Sequence, residues 1–205
     1  MKFISENKFL GSISRFGIGK TSDDRSLRYL DETGVLGFDF TNLAIPDLSQ
    51  SPYEAVAEGD RSVEYVMVST LFKLLEVLDL FPVYLYASDN EWADEDLSRL
   101  VSQKHITADE AAVLQNVIDL DHGMDVTVIG RDEIKEAVRL ITPQITALST
   151  ECCAVDDKGR FLATFSQDDE VSFNTKDNAL YNASKEFILK LKNLPFEIIQ
   201  AEEYL

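Results

Sequence analysis

Four stretches of this sequence hold side chains whose types and spacing could do chemistry. The first is Ser14 to Thr21, whose Gly19-Lys20-Thr21 end matches the close of a phosphate-binding loop. Such a loop needs glycine five positions before its GK pair, where backbone N–H groups wrap a phosphate, and here that position holds Ser14. It also leads from a strand into a helix, and two carboxylates, Asp23 and Asp24, would sit beside the anion. The expectation is therefore a hairpin turn, with nucleotide binding by residues 14–21 as an alternative. Arg15, Lys20, Arg25 and Arg28 make this the least acidic part of the chain, where a small anion could dock.

The second stretch, Asp119 to Asp125, gathers Asp119, Asp121, His122 and Asp125, ligand types that suit divalent metals. Its spacing is not that of a calcium loop, and a histidine in a last helical turn is favoured by the helix dipole alone. A helix end with a polar turn is the expectation, a metal-binding enzyme the alternative, and no cofactor is assigned. The third is the neighbouring pair Cys152 and Cys153. Adjacent strand residues point to opposite faces, so a bond between them would be strained, and two buried reduced thiols are expected. His105 and His122 are the only histidines; neither adjoins a nucleophile elbow, and no such elbow occurs. No catalytic residue is assigned.

The fourth differs in kind. Asp89, Glu91, Asp94, Glu95 and Asp96 surround Trp92, the one tryptophan in the chain. Acids at a helix N-terminus complement its dipole, and the indole could anchor on the core. An aromatic ringed by charge is also a common composition of protein-binding hot spots. Asp89, Glu91, Trp92, Asp94, Glu95 and Asp96, with Asp119, Asp121 and Asp125, are the candidate partner-binding residues.

That assignment follows from the charge. The chain of 205 residues carries 37 acids against 19 bases, a net of −18, yet 45% of it is hydrophobic. Disordered acidic tails lack that apolar content, so this chain can bury a core beneath a negative surface. Residues 51–150 hold nineteen acids and seven bases, two thirds of the excess. Such a field repels nucleic acid and anionic membranes and attracts basic surfaces. The expectation is a cytoplasmic inhibitor that masks a basic partner, possible types being an immunity protein, an antitoxin or an anti-defence protein against a toxin or nuclease. A structural protein whose acidity serves solubility is the other alternative. No stretch of signal-peptide or membrane-span length is expected, since even Val77 to Ala87 is broken by Asp79 and Pro82.

The elements that must position these groups read as follows. Lys8 to Ser14 looks extended, and Val35 to Phe40 is a strand. Ser22 to Glu32 fits a short helix or a strand. Residues 42–59, with Pro46 and Pro52, form a long surface connection. Val63, Val66, Met67, Leu71, Leu74, Leu75 and Leu78 recur at helical steps, so residues 61–81 are expected as a central buried helix ending before Pro82.

A strand over Val83 to Ala87, a helix over Asp94 to Gln103 and a helix from the capping box Thr107–Glu110 to about Leu120 follow. Then come a strand over Asp125 to Gly130 and a helix over Asp132 to Ile141, ahead of Pro143. Glu151 to Phe173 reads as a meander turning at Asp156–Gly159, before a helix from Asp177 or Asn178 and a last strand near Phe196. The class expected is α+β: a single domain over 1–205, a mixed or antiparallel sheet, a central helix and a C-terminal β-meander plus helix.

Overall fold

Apolar alternation at residues 36–41, 162–166 and 170–175 drives the architecture, because each of these strands turns alternate apolar side chains to one face. The computed structural model describes residues 2–21, 26–41, 62–87, 94–118, 125–146, 151–166 and 170–201. Among these, ten strands occur: β1 (Lys2–Ser5), β2 (Ile18–Lys20), β3 (Leu27–Tyr29), β4 (Leu36–Thr41), β5 (Val83–Ala87), β6 (Asp125–Ile129), β7 (Cys152–Asp156), β8 (Leu162–Ser166), β9 (Glu170–Thr175) and β10 (Glu197–Ala201). Six α-helices accompany them: α1 (Glu6–Ile13), α2 (Ser62–Val77), α3 (Asp94–Ser102), α4 (Ala108–Ile118), α5 (Ile134–Thr146) and α6 (Asn178–Ile188). The fold is α+β. Eight strands form one sheet in the order β1-β6-β5-β7-β8-β9-β4-β10, and β2 and β3 form a separate hairpin. Every pairing is antiparallel, which narrows the expected mixed or antiparallel sheet.

Helix α2 is the apolar spine. Met67, Val68, Leu71, Phe72, Leu74 and Leu75 are all buried in one core with α5 and the inner side of the sheet. Phe72 stacks on Phe165 and Phe161 on Phe173, so the helix and the meander share one aromatic layer. Each fully buried phenylalanine contributes about 1.5–3 kcal/mol of transfer free energy. The helix ends four residues earlier than its periodicity predicts. Asp79 takes a left-handed φ of 54°, and the Leu80 N–H returns to the Leu75 carbonyl at 3.0 Å. Arg131 seals this end, donating to the Glu76 carbonyl at 2.9 Å and to the Asp79 carboxylate at 2.8 Å.

Two other expectations are corrected. Lys8 to Ser14 is helical rather than extended: Phe9 and Ile13, one turn apart, are both buried on the outer side of the sheet, and that burial outweighs the strand-like composition. Helix α5 runs through Pro143 instead of stopping before it. Proline removes one backbone donor, but Ile141 and Ile145 on either side are buried, and the Gln144 side-chain amide donates to the Leu140 carbonyl at 2.7 Å. The predicted capping box is present: Thr107 N–H and Oγ1 donate to Glu110 Oε2 at 2.7 and 2.8 Å, and Glu110 N–H returns to Thr107 Oγ1 at 3.2 Å. Asp177 caps α6, accepting from Ala179 and Leu180 N–H. The connection expected over 42–59 lies outside the described residues. Among the described residues, no helix is long and apolar enough to cross a membrane.

Candidate functional site

The outer side of the sheet is divided into two halves. Over β1, β6, β5 and β7, helix α1 and the β2–β3 hairpin bury a second core of Phe9, Ile13, Ile18, Leu27, Tyr86, Val126, Cys153 and Val155. Cys152 points instead into the main core, so the two free cysteines occupy opposite faces, as alternation requires. Burial pushes the Cys152 thiol well above its ordinary range. One polar knot ties the covering layer down. The Lys20 ammonium donates to Glu6 Oε1 at 2.7 Å, Tyr86 OH donates to the same oxygen at 3.0 Å, and the ammonium lies 5.7 Å from the Tyr86 ring centroid. Desolvation opposes the Lys20 charge, but the bonds and charges of Glu6 and Tyr86 outweigh it and raise its pKa. Burial likewise raises the Tyr86 phenol.

Lys20 is therefore engaged with a carboxylate. Its surroundings also reverse the order a phosphate-binding loop requires: α1 and a 3-10 turn at Ser14–Phe16 come first, Gly17 turns at φ 74°, and strand β2 follows. The strand-to-loop-to-helix order that would aim a helix N-terminus at a phosphate does not occur at 14–21.

Among the described residues, the second core takes in Leu162 of β8 but does not extend over β9, β4 and β10. Phe38, Phe40, Val171, Phe173, Ala163 and Phe165 turn inward, so the alternate residues line the outer face. Register arranges them in two rows. Glu197, Thr41, Glu170 and Ser166 lie side by side across four strands, and Ile199, Asp39, Ser172 and Thr164 form the next row. Glu170 and Glu197 thus flank Thr41, roughly 10 Å apart at the backbone. Asp39 is diagonal to each, at about 7–8 Å. None of these eight positions holds a lysine or arginine. Glu197 and Ile199 are exposed and the other six are half-buried.

Desolvation, and then the charge of Glu170, raise the Asp39 pKa. The face therefore holds anionic charge at a cost in stability. Chemically, it can accept hydrogen bonds from ammonium, guanidinium and amide groups, and half-exposed Ile199 offers an apolar contact beside them.

None of the nine residues expected to bind a partner is among the eight positions of this face. Asp89, Glu91, Trp92, Asp119 and Asp121 fall outside the described residues. Asp94, Glu95 and Asp96 form the first turn of α3, and Asp125 opens β6 opposite Ser5. Asp39, Glu170 and Glu197 escaped the sequence reading. Asp39 and Glu197 each sit between apolar neighbours, a legible signal for a polar outward position, whereas Glu170 follows Asp169 and carries no such signal. Their convergence depends on β4 lying between β9 and β10, an order that no local pattern encodes. Comparison with protein-family models, with curated proteins and with solved structures gives no match to this chain.

Proposed function

We propose that this chain is a protein-binding inhibitor of the cytoplasm that masks a basic surface of its partner, in the manner of an immunity protein or antitoxin. The observation that carries the reading is the sheet face where Asp39, Glu170 and Glu197 lie together, with no lysine or arginine among its eight register positions. A cationic partner would supply a counter-charge that offsets the burial and, second to it, the Glu170 charge that raise the Asp39 pKa. The net charge of −18 extends the attraction beyond contact, accelerating encounter with a basic protein and turning nucleic acid away.

The test compares the wild-type chain with an Asp39→Asn/Glu170→Gln/Glu197→Gln variant as bait, using a host extract at about 50 mM and about 500 mM salt. The expected result is a basic protein retained by the wild type at low salt, released at high salt and bound about tenfold more weakly by the variant. Equal retention by both baits would remove this face from the interface. A variant that binds nothing less but precipitates would favour acidity kept for solubility.

A further inference from the structure

We propose that β10 is a docking edge, taking an extended segment of a basic partner as a ninth strand of the sheet. The inference rests on the reading that the partner is basic and adds how it is held. Among the described residues, strand β10 is one end of the eight-stranded order and pairs only with β4. In an antiparallel pair, alternate residues direct their N–H and C=O groups toward the neighbour and away from it. Residues 197–201 therefore present a row of outward backbone donors and acceptors.

Edge strands are usually blunted by lysine, proline or a bulge. Glu197-Ile198-Ile199-Gln200-Ala201 has none of these, and its five register pairs with β4 run without interruption. The opposite edge is better guarded: β1 is four residues long, begins with Lys2 and turns directly into α1.

Side chains along β10 specify the occupant. Glu197 and Ile199 face outward beside Thr41 and Asp39, while Ile198 packs against the main core and Gln200 hydrogen-bonds Tyr181 of α6. A strand added here would place alternate side chains beside Glu197 and Ile199, with the Asp39 carboxylate one strand further in at roughly 10 Å, and the rest along the Ile198 side. Lysine or arginine alternating with apolar residues meets both demands. A second copy of this chain would instead bring another −18 charges to the same edge, which Coulomb repulsion opposes.

The experiment titrates the full chain with a short peptide alternating lysine and valine, and with the same peptide N-methylated at every backbone amide. N-methylation keeps the charge and removes the strand-pairing donors. The expected outcome is about tenfold tighter binding of the unmethylated peptide, with slowed amide exchange at 197–201. Equal, salt-sensitive binding of both peptides without that protection would overturn strand addition and leave the charge-based reading standing. Failure of both peptides to bind at low salt would count against strand addition and the charge-based reading alike. Protection at 197–201 that grows with protein concentration in the absence of peptide would assign the edge to a second copy and overturn the proposal.

Discussion

Asp39 lies between two inward phenylalanines on β4, and its position is set by alternation alone. Its raised pKa means that the folded chain holds this proton to a higher pH than the unfolded chain does. The ionised form therefore costs stability, a cost that sets in as pH rises through the ordinary value of 3.8 and is complete above the raised one. Asp39→Asn should raise the melting temperature at pH 7 by about 1–2 °C, with the gain disappearing near pH 3. Thermal unfolding at the two pH values decides it, and an equal effect at both would refute the electrostatic cause. Beside it, a Cβ at Gly37 would stand 2.5 Å from the Phe173 carbonyl oxygen, a backbone atom of the neighbouring strand. Gly37→Ala should cost about 1–3 kcal/mol, seen as a lower urea midpoint at unchanged slope.

At the scale of elements, helix ends and the outer layer carry the separable terms. Glu110 accepts two hydrogen bonds from Thr107 at the start of α4. Glu110→Ala should cost about 0.5–2 kcal/mol and speed amide exchange in the first turn of that helix before it affects the sheet. The α1 and β2–β3 layer is pinned by Lys20 to Glu6 and Tyr86. Lys20→Met should lower stability at neutral pH by roughly 0.5–1 kcal/mol, since the pair is only partly shielded from water. The folded pKa of Lys20 is raised, so the wild-type advantage is fully present below 10.5 and fades as pH rises through the higher folded value. Denaturant titrations on both sides of that range measure it; an advantage that persisted at high pH would belong to the packing of the lysine stem.

For the molecule as a whole, self-repulsion is the governing long-range term. With a net charge of −18, raising salt from about 10 to about 150 mM shortens the screening length from roughly 30 to 8 Å. The melting temperature should rise over that interval, and a fall would mean that attractive ion pairs outweigh the acidic excess. The same screening should weaken binding of a basic partner, so stability and affinity are expected to move in opposite directions with salt.

What could be read from the residues was whatever local spacing dictates. The helical steps from Val63 to Leu78, the Thr107–Glu110 box, the Asp177 cap and the opposed faces of Cys152 and Cys153 all recur in the structure because each depends on neighbours within a turn or a strand. Phe9 and Ile13 had too short a pattern to announce a helix, and Pro143 carried a local penalty that only the burial of Ile141 and Ile145 offsets. The acidic excess was plain in composition. Bringing three of those acids to one face of the sheet required β4, from the first fifth of the chain, to enter between β9 and β10 from the last. Such pairings join residues far apart in sequence, whose register is settled by the shared burial of Phe38, Phe40, Phe173 and Phe196, and so only the tertiary structure could bring Asp39, Glu170 and Glu197 to one face.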